Sequence, residues 1–554
     1  MEQHHTPERL VNVAAHLPKM AAQQPYTKAV SFPVGRDKQG RATYSHMTYQ
    51  QLDQESDKIA RGLEEIGIKR GTKTILMVKP SLEFFSLTFS LFKVGAVPVL
   101  IDPGMGLKRM LHCLQSTKAE AFIGIPLAHA MRVMFSGYFS TIKTHLTVGK
   151  RWFWSGPALS EITDKPYEPY EMAPTRGDEV AAILFTTGST GPAKGVVYLH
   201  ENFDMQVTHL QRHFGISPGE VDLATFPLFS LFAPALGMTS LVPDMDATRP
   251  ADVDPVKIIE AIQNHGATTM FGSPALLNRV GRYGEAHGIK LPSLRRVLSA
   301  GAPVTHDNIK RFSKMLRPEA QIHTPYGATE CLPVASIGSH ELLTETQEQT
   351  ARGEGICVGR PMEDLTVRII KVNDGPIPEW SDEFVVPDGE IGEITVKGRN
   401  ATREYYGLPE ATAKAKIKEG DDVVHRMGDL GWFDENGRIW FCGRKAHRVQ
   451  TAEGDLYTVR CEAIFSQHPR VYRSALVGLG DAPNQKPVIL IELEADDNKR
   501  DLSKLKGELL AMAQKHEHTK SIKTLMFHPK FPVDIRHNAK IFREKLSVWA
   551  HERR

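Results

Sequence analysis

The stretch Ile183 to Val196, ILFTTGSTGPAKGV, runs an apolar strand into hydroxyls and glycines and then into a lysine. Small residues let backbone N–H groups close on an anion, the hydroxyls add donors, and the Lys194 ammonium adds a point charge, so the natural guest is a phosphate. The loop is not the G-x-x-x-x-G-K-[ST] pattern of nucleotide triphosphatases, because Lys194 stands between Ala193 and Gly195. A Gly/Ser/Thr turn with an incidental lysine is the bland alternative. The number of small and hydroxylated positions gathered in one loop argues against it.

Such a loop needs a strand to launch it, and the surrounding pattern supplies strands and helices in alternation. Thr48 to Gly67 has Leu52, Ile59, Leu63 and Ile66 at helical spacing. The runs TKTILMVKP, SLEFFSLTFSLFKVG and AVPVLIDPG then read as strand, helix, strand, a unit suited to a parallel sheet. Helices are predicted over Leu107 to Glu120 and over Pro255 to His265, the latter with Asp254 as cap and proline first. The fold class is therefore α/β, with ligands expected at the carboxyl ends of the strands. Beyond about residue 365 short alternating runs such as LTVRIIKV, GEITVKG and GRIWFCG predict a more antiparallel β section. From Arg444 on, the strands SALVGLG and PVILIELEA with a helix over Leu502 to His516 predict a separate α+β lobe, so the chain divides into 1–443 and 444–554.

The chain has 554 residues, 41% of them hydrophobic, with 44 Gly and 35 Pro, which excludes disordered and fibrous classes. With 68 Lys and Arg against 65 Asp and Glu, no whole-chain polyanion surface, and hence no nucleic-acid partner, is expected. The final forty residues are locally basic, which most simply is a solvated face. Five widely spaced cysteines without a C-x-x-C support neither a disulfide framework nor a zinc knuckle, so a reducing, cytoplasmic setting is expected. The first thirty residues lack the apolar core of a secretory signal. The most apolar stretch, Phe84 to Ile101, is interrupted by Lys93, Gly95 and Pro98, so no membrane span is predicted.

The phosphate loop resembles the T-[ST]-G-[ST]-T-G-x-P-K-G loop of the adenylate-forming superfamily of acyl-CoA synthetases, luciferases and peptide-synthetase adenylation domains, and the resemblance continues along the chain. Ser299-Ala300-Gly301-Ala302-Pro303 resembles the adenine-side loop, TPYGATE (Thr324 to Glu330) the Y-G-x-T-E motif, and Met427 to Leu430 the T-G-D motif. Gly443-Arg444 resembles the G-R before the hinge, and Asn538-Ala539-Lys540-Ile541 takes the place of the G-K-[IV] near the C-terminus. The resemblance implies a large N-terminal body with a small mobile C-terminal lobe, and ATP and Mg2+ as cofactors. It places Thr186, Thr187, Gly188, Ser189, Thr190, Gly191, Gly301, Ala302, Pro303, Tyr326, Gly327, Thr329, Asp429 and Arg444 around the nucleotide. Thr186 and Glu330 would hold magnesium, and Lys540, Glu330 and Lys194 would be catalytic. These residue types suit the task. A carboxylate attacking the α-phosphate brings two anions together, and cations must offset the repulsion. A carboxylate such as Asp429 can accept from both ribose hydroxyls, and Arg444 can donate to sugar or phosphate.

Departures narrow the resemblance. Ser230 in Pro227-Leu228-Phe229-Ser230 stands where acyl-CoA synthetases have a gating histidine, and Ala446 stands where the hinge Asp or Lys is usual; both argue against CoA transfer. With Phe226 to Ala251, Thr324 to Ala335, Gly443 to Val449 and Pro532 to Ala550, the chain resembles the β-lactone synthetases of long-chain olefin biosynthesis. That implies activation of a long-chain 2-alkyl-3-hydroxy acid as its acyl-AMP and ring closure by the substrate's own hydroxyl, an intramolecular attack needing no second substrate. It also implies association with other olefin-pathway enzymes. A fatty acyl-CoA or acyl-AMP ligase is the alternative, and a non-catalytic acyl-binding or scaffold protein a more distant one. Phe229, Ser230, Leu231, Phe232 and Cys331 are the expected substrate pocket. Phe226, Leu228, Leu236 and Met238 extend an apolar run that suits an alkyl pocket or an ordinary core equally. His447 and His537 could serve as a base for the substrate's hydroxyl, since imidazole titrates near neutrality, but in a chain with 23 histidines surface positions are the expectation and neither is placed among the catalytic residues.

Overall fold

A computed structural model describes residues 10–101, 103–186, 193–495, 497, 500–534 and 540–553, with the side chains of Pro103 and Thr186 excepted. Two sheets, parallel but for one antiparallel edge strand each, carry the site. In the first, the strand order is Thr144–Thr147, Ala121–Gly124, Lys73–Met77, Val97–Ile101, Val180–Thr186 and Lys194–Leu199. Only its last pair, Val180–Thr186 with Lys194–Leu199, is antiparallel. In the second, the order is Gln321–His323, Arg296–Leu298, Thr269–Phe271, Val221–Ala224, Thr239–Leu241, Lys28–Arg36 and Ala42–Thr48, again parallel up to one final antiparallel hairpin. An eight-stranded antiparallel sheet follows, built from strands between Tyr326 and Arg444. The α/β body with an added β section is thus the architecture the patterning predicts.

Local rules explain the element ends. The helix Tyr49–Glu65 starts at Thr48, whose side chain caps the first turn reciprocally with Gln51. The helix Leu82–Val94 is buried on nearly every side and ends at Gly95, which takes φ of +74°, with side chains of Arg70, Ala173 and Thr175 where a Cβ would sit. Its Lys93, the charge that interrupts the apolar run in the sequence, is held by Asp53 and Asp57, each at 2.6 Å. Such a paired, hydrogen-bonded ammonium can be buried where a lone one could not. Two helices stop short of their predicted ends, at Ser116 and at Ala513. Among the described residues no helix is long and apolar enough to cross a membrane.

Beyond Arg444 a three-stranded sheet, Val471–Leu479, Lys486–Leu493 and Thr524–Phe527, packs with the helices Thr458–Phe465, Leu502–Ala513 and Arg543–Glu552. Two apolar clusters here draw only on residues from Val449 onward. Polar clasps tie this part to the body. Arg448 pairs with Asp374 at 2.5 Å, Lys445 with Glu393 at 2.9 Å, and Arg460 donates to the Gly353 carbonyl at 2.7 Å.

Candidate active site

The carboxyl ends of both parallel sheets, the antiparallel sheet and the C-terminal part together enclose one cavity of about 2690 Å³. Lys194, Gly301, Ala302, Pro303, Tyr326, Gly327, Thr329, Glu330, Asp429, Arg444 and Lys540 all line it, although they span nearly 350 positions of sequence.

At one end, pairing of Asp422–Phe433 with Ile439–Arg444 sets Asp429 directly opposite Arg444. The Arg444 guanidinium lies 3.0 Å from Asp429 Oδ1 and donates to the Met427 carbonyl at 3.2 Å. Tyr326 donates its hydroxyl to Asp429 Oδ2 at 2.7 Å. Asp429 is only 4% exposed, and burial pushes its carboxyl upward against the opposing pull of Arg444 and the Tyr326 hydrogen bond. Beyond the ion pair with Arg444, Oδ1 receives no hydrogen bond from the described residues, so a lone pair is left for a hydroxylated ligand. Gly443 is required where it is. Its φ is +132°, and a Cβ would sit 2.4 Å from the Thr458 hydroxyl.

Some way along the cavity a second network forms. Tyr405 donates to Glu330 Oε1 at 2.7 Å, and the Lys194 ammonium lies 4.6 Å from the centroid of the same Tyr405 ring. Thr402 pins the Glu330 carbonyl with both its backbone N–H, at 2.8 Å, and its hydroxyl, at 3.0 Å. Tyr198 donates to the Thr329 carbonyl. Behind them Lys416 is fully enclosed, and burial brings its ammonium down to about 8 while Glu330 opposes the shift. Lys540 enters the cavity from the C-terminal part. Its carbonyl accepts from Asp534 N–H at 2.9 Å, and three residues on, Arg543 Nη2 donates to both Glu462 carboxylate oxygens at 2.7 and 2.8 Å.

At the far end the walls are apolar. Phe229 meets Phe271 edge to face, 4.7 Å between centroids, and Phe226 packs on Phe229 at 5.1 Å. Leu231 and Phe232 line the cavity beside them. Ser230 is also at the wall but buried, its hydroxyl donating to the Pro227 carbonyl of its own turn.

Three expectations meet the structure differently. Cys331 does not line the cavity: strand alternation turns it into the antiparallel core, fully buried, with Sγ 3.4 Å from Asn400 Oδ1. His447 is not a surface residue. Its ring is 8% exposed, touches Glu544 at 3.2 Å and lines the cavity, and burial lowers its pKa to about 4. Thr187, Gly188, Ser189, Thr190, Gly191, His537, Asn538, Ala539 and the Thr186 side chain lie outside the described residues. Sequence reading missed Tyr405, Thr402 and Lys416, which support Glu330 from 72 to 86 positions away. The only signal was the Tyr405-Tyr406 pair, aromatic residues in a polar segment.

Fold and site define an enzyme class that couples a nucleotide to an acid. A family model described as AMP-binding enzyme matches residues 17–406, and the chain belongs to that family: it is an ATP-dependent, AMP-forming ligase. Two relatives named olefin beta-lactone synthetase, from Xanthomonas campestris pv. campestris and Stenotrophomonas maltophilia, are each 48% identical to it, with 98% of both chains covered. The amide bond synthetase McbA from Marinactinospora thermotolerans superposes with a TM-score of 0.76 at 20% identity, covering 97% of this chain and 99% of that one. At that identity the likeness speaks for the fold alone.

Enzymes of this kind use ATP with Mg2+. The residues present fit both. The open acceptor on Asp429 suits a ribose hydroxyl, and the buried Ser299 hydroxyl, without a partner among the described residues, lines the cavity beside Gly301. No cluster of three metal-ligating side chains occurs among the described residues. A single carboxylate, Glu330, with phosphate oxygens and water is the coordination magnesium ordinarily takes in nucleotide sites.

Proposed function

We propose that this ligase activates a long-chain 2-alkyl-3-hydroxy acid and closes it to a β-lactone. The substrate carboxylate oxygen attacks the α-phosphorus of ATP and pyrophosphate leaves. The substrate's 3-hydroxyl oxygen then attacks the acyl carbonyl, the bond to the phosphate oxygen breaks, AMP departs and the hydroxyl proton is lost to solvent. Lys194 and Lys540 offset the negative charge that gathers on the phosphates, and Asp429 and Arg444 hold the sugar end. Glu330 and Thr186 would hold magnesium, which would supply further charge neutralisation. His447, whose ring touches Glu544 and whose pKa burial lowers, is given no step.

The observation that carries this reading is an apolar arm walled by Phe226, Phe229 and Phe271 opening into the same cavity as the cationic groups. The near full-length similarity to two proteins named olefin beta-lactone synthetase supports it. Ser230 and Ala446 in place of a histidine and a charged hinge residue favour ring closure over thioester formation. A cytoplasmic location and association with enzymes that supply the hydroxy acid or consume the lactone belong to the same reading. The test is product analysis after mixing the protein with ATP, Mg2+ and a synthetic long-chain 2-alkyl-3-hydroxy acid, with and without CoA. A β-lactone with AMP and pyrophosphate, independent of CoA, is expected; an acyl-CoA formed only when CoA is added would overturn the proposal.

A further inference from the structure

The second parallel sheet carries an unexpected polar row beneath its apolar ligand-facing end. Asp222, Thr269 and Arg296 are direct register partners on three adjacent strands, so their side chains project from the same face. They sit two residues below Ala224, Phe271 and Leu298, the last residues of those strands, which is about 7 Å deeper at roughly 3.3 Å per residue. Between the two levels the surroundings are apolar. Leu210, Ile216, Leu236, Met238 and Leu298 pack as one cluster, and all of them line the cavity, as do Asp222 and Thr269. The acyl end of the cavity therefore continues as an apolar arm down to a polar floor.

At that floor the groups are unequal. Arg296 is fully engaged, by Glu220 at 2.5 Å, by the Thr269 hydroxyl at 2.8 Å and by the Gly215 carbonyl at 3.1 Å. Glu220 is further held by Thr268 and by the Ser217 N–H. Asp222 has no hydrogen-bond partner for its side chain among the described residues, although it is 8% exposed and lies in the field of Arg296. Burial raises its carboxyl to about 7, the mark of a group with little water and no donor. Nothing in the adenylation chemistry uses it, and a carboxyl so placed is costly in an ordinary core.

We propose that Asp222 is the floor of an alkyl-binding arm and sets the length of the chain that the arm accepts. The proposal rests on the reading of this cavity as an acyl site. Each methylene that descends the arm is moved from water to apolar walls, tightening binding about four-fold. A methyl end pressed onto the Asp222 carboxyl would strip its remaining water and give no hydrogen bond in return, so the gain stops there. The floor acts as a ruler because it is polar as well as because it is solid.

The experiment is direct binding of unbranched saturated fatty acids of increasing length, by displacement of a fluorescent acyl probe from the full-length protein. In the native protein affinity is expected to rise with each carbon and then level off. Asp222→Ala should move that break to longer chains by two or more carbons, tightening the longest acids at least ten-fold and leaving short ones unchanged. Asp222→Asn, polar and of the same size, should keep the native break. Ala224→Leu, which narrows the arm one step above the floor without touching Asp222, should move the break to shorter chains, and it keeps the question answerable should Asp222→Ala fail to fold. An unmoved break in Asp222→Ala or in a folded Ala224→Leu overturns the proposal, as does the absence of any length-dependent binding. Because the readout is binding, a protein that shows the shifted break but forms no lactone would keep the ruler and refute the cyclisation reading instead.

Discussion

At the end of the cavity proposed for the nucleotide, polar groups are held by other polar groups: Tyr326 by Asp429, Asp429 by Arg444, and Glu330 by Tyr405 and Thr402. At the acyl end the walls are ring on ring and aliphatic on aliphatic, with Phe226, Phe229 and Phe271 in contact and a lone carboxyl at the floor. The first end fixes donors and acceptors against a ligand of invariant shape, where an ångström of misplacement is expensive. The second fixes a volume, and apolar walls tolerate variation in what fills it because burial is proportional to area and has no direction. One end should therefore control rate, and the other which acid is used.

The sharpest way to break that division is Lys540→Ala, expected to lower adenylation by roughly 10²–10³-fold, the scale on which one preorganised charge-stabilising group acts. Pyrophosphate release would measure it, with an unshifted thermal midpoint as the control; undiminished release would remove Lys540 from the charge-offsetting set. Next comes Glu330→Gln, for which the Mg2+ concentration giving half-maximal rate should rise by about ten-fold or more, since one of the few anionic oxygens available to the ion is lost. An unaltered Mg2+ titration would count against Glu330 as the protein's ligand. On the acyl side Phe229→Ala should raise KM for the acid by up to about ten-fold through loss of the edge-to-face contact with Phe271, while KM for ATP stays put. Equal changes in both constants would show that the two ends are not separable. Tyr405→Phe should cost less, a few-fold in kcat, because it removes one hydrogen bond worth about 1 kcal/mol and leaves the ring under Lys194 in place.

A last, gentler effect concerns stability and not chemistry. Burial lowers the pKa of His129, His145, His200, His323 and His518 to about 4. Unfolded, each would take up a proton near the ordinary value of about 6.5. At these five rings the unfolded chain binds more protons between those limits than the folded one; Asp222 and Glu201, raised by burial to about 7, oppose them, and with five rings against two carboxyls stability falls as pH drops from about 6.5 toward 4. Melting curves at fixed ionic strength should show a midpoint steady above pH 7 and falling below 6.5. A midpoint indifferent to pH across that window would mean that these rings protonate in place.

That Lys194, Tyr326, Glu330 and Asp429 share one cavity was legible because these groups come in short contiguous segments whose residue types suggest the proposed nucleotide chemistry, such as Tyr326 four residues from Glu330 and a lone Gly428-Asp429. Register then supplies the rest of the geometry, as when Asp429 falls opposite Arg444. Cys331 was misplaced because adjacency to Glu330 says nothing about direction: Glu330 sits in a turn, and Cys331 opens the strand Cys331–Ser336 with its side chain in the antiparallel core. His447 was misjudged because exposure depends on what packs above it, here the helix bearing Glu544.

By itself the sequence determined the alternation of strands and helices, the glycine- and hydroxyl-rich segment before Lys194, the balance of charge and the residue types available, all of which are local properties of spacing and composition. Tertiary structure alone decided that Tyr405 and Thr402 support Glu330, that Lys540 reaches the same cavity as Lys194, and that Asp222 lines that cavity beneath apolar walls. These are meetings between residues from tens to hundreds of positions apart. Such contacts follow from how sheets stack and how strands register, and no periodicity in the chain encodes which distant side chain will complete a site.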